Sequence, residues 1–131
     1  MRKFLNDVGI KDCDFPWNWN EDDKRQSEWK QKRKEYGFDE RDTWSLKYTL
    51  TLLTYERLMM FERITKDMIV QEDPLMEYEF EGEKIYQYQA IKRILNSFRE
   101  YLKDSDNMSY DLAEYIKCWA LLGVIMPGLW W

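Results

Sequence analysis

Residues 41–64 read RDTWSLKYTLTLLTYERLMMFERI, and no glycine or proline interrupts them. That is enough chain for about six turns of helix. Asp42 suits the N-cap, because its carboxylate can accept from the amides of Trp44 or Ser45 and favours the positive helix end. On a helical wheel Leu46, Leu50, Leu53, Met60, Phe61 and Ile64 share one face, while Trp44, Tyr48, Leu52, Tyr55, Leu58 and Met59 cover the opposite one. A helix apolar on one stripe lies on a surface, and one apolar nearly all round is covered on both sides. The expectation is a central helix over residues 41–69. One face should lie against its own chain, and the other against its own chain or a second subunit.

The other 107 of the 131 residues surround that helix. The length predicts one domain spanning residues 1–131, able to bury roughly two-thirds of its unfolded surface. Apolar residues make up 44%, and seven Trp, nine Tyr and six Phe exceed what a minimal core requires. The net charge of −5 argues against binding duplex nucleic acid through its phosphates. It still allows a small anionic ligand, for which a few arginines suffice.

The chain contains no histidine. That removes the usual general base, the Ser-His and Cys-His nucleophile pairs and the commonest transition-metal ligand. No glycine-rich phosphate loop, CxxC set or serine-centred elbow takes their place. The expectation is a non-enzymatic protein with no cofactor and no metal. Cys13 and Cys118 form no spaced set, and reduced thiols in a cytosolic protein are expected. The basic start MRKFLNDVGIKD lacks the apolar core of a signal peptide.

Before the central helix, residues 1–19 form an aromatic arm with one short helical turn. Phe15, Trp17 and Trp19 alternate around Pro16, which suggests an extended segment laid over the core or a stacking platform for a base or peptide. Residues 20–36 read as a helix capped by Asn20, acidic at its start and basic at Lys30, Lys32, Arg33 and Lys34. Trp29 and Tyr36 are its apolar anchors, and Gly37 ends it.

The stretch that follows, Gly37-Phe38-Asp39-Glu40-Arg41-Asp42-Thr43-Trp44-Ser45-Leu46, resembles a motif of small, largely uncharacterised proteins of tailed bacteriophages. In those proteins an Arg-Asp-Thr-Trp-Ser-Leu-like element opens a long helix. A later helix resembling Ala90-Ile91-Lys92-Arg93-Ile94-Leu95 follows, and the chain closes on aromatics as Leu129-Trp130-Trp131 does here. The resemblance spans about half the chain. It implies a viral origin, a helical fold and a role in binding and inhibiting host defences.

Beyond the central helix, Pro74 is a stop signal. Tyr78 and Phe80 alternate with glutamates before Glu81-Gly82, which permits a small β-hairpin near residues 76–87. Tyr88, Ile91, Ile94, Leu95, Phe98, Tyr101 and Leu102 mark one face of an amphipathic helix. Ser109 or Asp106 could cap a last helix whose inner face is Leu112, Tyr115, Ile116, Trp119, Leu122, Gly123 and Met126. The apolar segment 118–131 is broken by Pro127-Gly128 and too short to span a bilayer. Burial in the core or a partner subunit is one reading, and insertion at a membrane interface the other.

The fold class expected is therefore mainly α, a compact bundle of four or five helices with that small hairpin. Arg57 falls inside the apolar stripe of the central helix. A guanidinium there is either paired with a carboxylate or exposed at a mouth, facing an anion. Arg41 presents the same choice at the helix start, beside Asp39 and Asp42. Arg41, Trp44, Tyr48, Arg57, Trp17 and Trp19 are the candidate ligand-binding residues, since stacking with cation pairing holds nucleotides without catalysis. The function expected is a cytoplasmic phage anti-defence protein, in the host cell and homo-oligomeric, that sequesters a small anionic ligand such as a nucleotide immune signal. The same residue types form protein interface hot spots. An inhibitor that binds a host protein through Trp-rich surfaces is thus the alternative, and a structural or membrane-interface protein the third.

Overall fold

The computed structural model describes residues 2–11, 14–20, 22–68, 73–104 and 108–130. Among them the chain is mainly α-helical with one antiparallel hairpin, the fold class expected from its sequence. Cys13, Asp106, Trp131 and the expected helix end at Ile69 lie outside the described residues. The chain divides into two compact units, Met1–Leu53 and Thr54–Trp131.

The first unit contains helix α1 (Lys3–Asn6), a 3₁₀ turn at Pro16–Asn18, α2 (Gln26–Tyr36) and α3 (Arg41–Trp44). The arm is more tightly coiled than an extended strap. Pro16 occupies the first position of the 3₁₀ turn, where its fixed φ and missing N–H cost nothing, and Phe15 and Trp19 flank the turn with extended backbone. Phe15 and Pro16 are buried, and the rings of Phe15 and Trp17 stack with centroids 5.0 Å apart.

Helix α2 starts later than its charge pattern suggested, and Asn20 does not cap it. Asn20 takes a positive φ of 54°, and its carbonyl accepts from the Asp23 amide at 3.0 Å. The Asp23 carboxylate accepts from the amide of Arg25 at 2.8 Å and grips its guanidinium. These local bonds offer the backbone an alternative to helix, so α2 begins only at Gln26. Gly37 closes it in the left-handed conformation with φ 88°, as expected. Trp29 is its buried anchor, whereas Tyr36 is exposed.

The central run is two helices. Ser45, at φ −128° and ψ 73°, breaks α3 from α4 (Leu46–Thr65). Asp42 is not the cap. Asp39, three residues earlier, accepts from the Arg41 amide at 2.9 Å, and Asp42 reaches back to the Asp39 amide at 3.1 Å. This reciprocal arrangement resembles a capping box. Along α4 the buried positions are Thr49, Thr51, Leu52, Tyr55, Leu58 and Thr65. Of the two apolar faces expected to be covered, one is the outer one: Leu46, Leu50 and Met60 are 44–51% exposed, and Arg57 is exposed among them. A helix apolar all round leaves the choice of inner face to its neighbours.

In the second unit, β1 (Glu77–Phe80) pairs with β2 (Glu83–Tyr86). Glu81 and Gly82 both have positive φ, the requirement of a type I′ turn. Helix α5 (Gln87–Asp104) buries Ile91, Ile94, Leu95, Phe98, Tyr101 and Leu102, the face read from its period. It packs on α6 (Leu112–Ile125) through a cluster in which Phe98 lies 4.8 Å from Trp119 and Tyr101 lies 4.6 Å from Tyr115. Arg93 clips the same helices together through two bonds of 2.7 and 2.8 Å to Glu114.

The inner face of α6 is Tyr115, Cys118, Leu121, Leu122 and Ile125; Leu112, Ile116 and Met126 are exposed. This corrects the expected face by about one position, again in a helix that is apolar all round. After α6 a 3₁₀ turn (Met126–Gly128) brings the chain back under the hairpin. A Cβ on Gly128 would meet the Tyr78 hydroxyl and Gln87 Oε1, so a side chain here would displace both groups. Trp130 is 70% exposed, and the tail is not tucked away at that point. No helix among the described residues is long and apolar enough to cross a membrane.

The cap of α6 is Asp111, whose Oδ1 accepts from the Glu114 amide at 3.1 Å, and not Ser109. Asp111→Ala should therefore cost about 1 kcal/mol in denaturant unfolding, with Ser109→Ala within about 0.5 kcal/mol of wild type. Equal effects of the two would reassign the cap.

Candidate ligand cleft around Trp17, Lys30 and Arg33

The Asp39 side chain is wholly buried between two guanidiniums. Arg41 donates from Nε to Oδ1 at 3.0 Å and from Nη2 to Oδ2 at 2.9 Å, a bidentate pair, and its Nη1 reaches the Trp19 carbonyl at 3.0 Å. Arg33 approaches the same carboxylate at 2.7 Å through Nε and pairs with Asp42 through Nη2. Lys32 joins Glu40 beside them. Local sequence explains the geometry. Arg33 projects from the last turn of α2, Gly37 reverses the chain, and the Asp39–Asp42 turn presents both carboxylates to it.

Burial is the strongest single influence on Asp39 and favours its neutral form. The hydrogen bonds from the Arg41 side chain and backbone, with the charges of Arg33 and Arg41, outweigh it and hold the Asp39 pKa below its ordinary value. Aromatic faces complete the cluster. The Arg41 guanidinium lies 4.4 Å from the Trp29 ring centre, and Arg25 covers Trp29 at 4.7 Å and Trp44 at 5.5 Å.

Beside this lock opens a cleft of about 450 Å³, lined by Trp17, Asn18, Ser27, Lys30, Arg33 and Arg41. Trp17 is half-buried, with the guanidinium of Arg2 at 4.9 Å and that of Arg33 at 5.9 Å from its ring centre. Lys30 is exposed and forms no ion pair among the described residues. Arg33 has two nitrogens committed to carboxylates, while its Nη1 makes no hydrogen bond among the described residues. The guanidinium is thus held in a set orientation with one nitrogen to spare.

The structure brings Trp17, Trp19 and Arg41 together, Trp19 through its backbone carbonyl. Arg41 has its donors engaged by Asp39 and Trp19, the ion-paired arrangement. Trp44 faces Trp29 edge-on at 5.7 Å and does not line the cleft, and half-buried Tyr48 does not line it either. Arg57 belongs to the second unit, where it lines a shallow groove with Leu58, Phe61, Trp119, Leu122 and Met126. Ser27, Lys30 and Arg33 were not among the sequence candidates. Their i, i+3, i+6 spacing places them on one face of α2, and their membership of a basic helix end concealed that face. The charge is unevenly shared along the chain. Eleven basic and eleven acidic residues precede Thr54, whereas nine basic and fourteen acidic ones follow, so the net −5 belongs to the second unit.

Removing Arg41 leaves a buried carboxylate with half its partners. Arg41→Ala should destabilise by about 3–5 kcal/mol, lowering the melting temperature by roughly 10 °C or more; an unchanged melting temperature would mean the pair is not structural. A folded-state pKa below the unfolded value adds stability that is complete above the unfolded value, roughly 3.9 for Asp. That stability disappears as pH falls through the folded value. The unfolding free energy of Asp39→Asn, followed by denaturant titration, should therefore fall less steeply than that of wild type below about pH 4.

Comparison with protein families, with curated proteins and with solved structures finds no match to this chain.

Proposed function

We propose that this chain is a non-catalytic binding protein that holds a small aromatic anion, of the kind a mononucleotide represents, in the cleft of the first unit. The observation that carries the proposal is the pairing of a half-buried Trp17 ring with two cations, Lys30 and Arg33, on one 450 Å³ cleft. That volume lies within the roughly 300–1,000 Å³ typical of small-molecule sites. The ring offers a stacking surface of the kind worth about 1–3 kcal/mol per base. Arg33 Nη1 and the Lys30 ammonium offer charge-assisted donors to a phosphate. Asp39 and Asp42 offset Arg33 and Arg41, so Lys30 supplies the uncompensated charge.

A chain without histidine is suited to holding such a ligand rather than transforming it. Together with the resemblance of residues 37–46 to tailed-phage proteins, this supports sequestration of a nucleotide immune signal in the cytoplasm of an infected host. A second reading has its own observation. The groove beside Arg57 in the second unit is apolar, and Met60 of α4, Ile116 of α6 and Met126 of the following turn are exposed. Such a surface suits a host protein or a second copy of the chain.

Titration calorimetry with mono-, cyclic and oligonucleotides tests the first reading. A phosphate-bearing nucleotide should bind, and be recovered unchanged after the protein is denatured. Lys30→Ala should weaken it about tenfold with no change in melting temperature. No heat from any nucleotide at about millimolar concentration, or binding indifferent to Lys30, would overturn the reading.

A further inference from the structure

A second cavity, of about 250 Å³, lies wholly within the second unit and is smaller and more enclosed than the cleft. The last turn of α4 supplies Glu62 and Thr65 to its wall, and Lys66 follows directly after it. Met76 comes from the 3₁₀ turn before the hairpin, and the first turns of α5 supply Gln87, Tyr88, Ile91 and Lys92. Its buried polar groups are satisfied from within the protein. The Thr65 hydroxyl donates to the Phe61 carbonyl at 2.7 Å. Gln87 accepts from the Tyr78 hydroxyl at 3.2 Å and donates to the Gly128 carbonyl at 3.1 Å, which ties the wall to the turn after α6.

The charged groups around the cavity are a different matter. Glu62 is half-buried, Lys66 and Lys92 are exposed, and none of the three forms an ion pair among the described residues. Glu62, in the last turn of α4, and Lys66, just past its end, stand four apart, the spacing at which such residues ordinarily pair, yet they do not. Lys92 meets only the Tyr88 ring, at 5.9 Å. Between these charges the wall is apolar, formed by Met76, Ile91 and Tyr88.

We infer that this cavity binds a small zwitterion with an apolar side chain, the chemistry of a free apolar α-amino acid. Lys66 and Lys92 receive its carboxylate, Glu62 its ammonium group, and Met76, Ile91 and Tyr88 its side chain. Two lysines alone would suit any carboxylate. The half-buried Glu62 decides against a simple anion, because a carboxylate partly withdrawn from water gains most from a cation. The volume falls below the range of drug-sized sites, which limits the ligand to the size of a single amino acid. This inference is independent of the nucleotide cleft, since no residue is shared between the two sites.

Calorimetry with L-leucine, L-methionine and L-phenylalanine tests it, alongside two truncated forms of leucine: 4-methylpentanoate, which lacks the ammonium group, and isopentylamine, which lacks the carboxylate. At least one of the amino acids should bind, and leucine should bind about tenfold or more tightly than either truncated form. Glu62→Gln should reduce leucine to the affinity of 4-methylpentanoate without weakening 4-methylpentanoate itself. Lys92→Gln should weaken both. Lys92 is exposed and Glu62 half-buried, and neither has an ion pair among the described residues to lose, so circular dichroism and melting temperature should match wild type in both variants. Equal affinity for leucine and 4-methylpentanoate would overturn the inference, as would no binding of any of the three amino acids below about 10 mM. Loss of nucleotide binding in Lys30→Ala would bear on the other unit alone.

Discussion

The first unit depends on one buried carboxylate. Asp39 gathers the loop after α2, the start of α3 and, through Arg41, the carbonyl of Trp19 into one hydrogen-bonded knot. An unpaired carboxylate in that position would be expensive, and two guanidiniums with a backbone amide make it tolerable. The same knot orients Arg33 and leaves one of its nitrogens uncommitted at the cleft. Structure and candidate chemistry are therefore linked by a single side chain: the lock holding α2 to α3 also sets the direction of a phosphate donor.

In the second unit the organising element is an aromatic stack rather than a charge. Phe98, Tyr101, Tyr110, Tyr115 and Trp119 meet at centroid distances of 4.6–6.3 Å between α5 and α6. Offset and edge-on pairs of this kind add to the ordinary gain from burial. Cys118 lies beside them, fully buried. Burial first, and the charge of Glu114 second, push its thiol up to about 11, so it behaves as a small apolar side chain and not as a nucleophile. The aromatics between α5 and α6 are thereby absorbed by packing, whereas Tyr36, Phe38, Trp44 and Trp130 stay exposed and Trp17 is half-buried beside the cleft.

The two cavities differ in a chemically useful way. The cleft of the first unit combines an aromatic ring with an arginine whose counter-charges are already placed and a lysine that has none, a setting for a phosphate-bearing ring. The cavity of the second unit has charges of both signs with no internal partner and an apolar wall between them, a setting for a small zwitterion. The acidity of the second unit also separates the roles. An extended polyanion would be repelled from much of that unit, whereas a compact ligand senses mainly the nearest side chains.

Local signals in the sequence determined a great deal. The period of α5, the left-handed glycine after α2, and the Glu81-Gly82 turn each follow from short-range sterics that no neighbour overrides. The mainly helical class with one hairpin follows from them. Tertiary structure decided what these signals leave open. In α4 both faces are apolar, so periodicity could not say which side is inner, and the Leu46, Leu50 and Met60 stripe, expected to be covered, is exposed in the structure; in α6 the face read from the wheel is offset by about one position. Asn20 and Asp42 are good caps by composition, yet Asp23 and Asp39 captured the neighbouring amides first. Arg41 could be read as an anion contact or an ion pair from its neighbours alone, because both need the same residue types. Only the folded chain, by burying Asp39 between Arg33 and Arg41, commits it to the pair and leaves Lys30 and Arg33 facing the cleft.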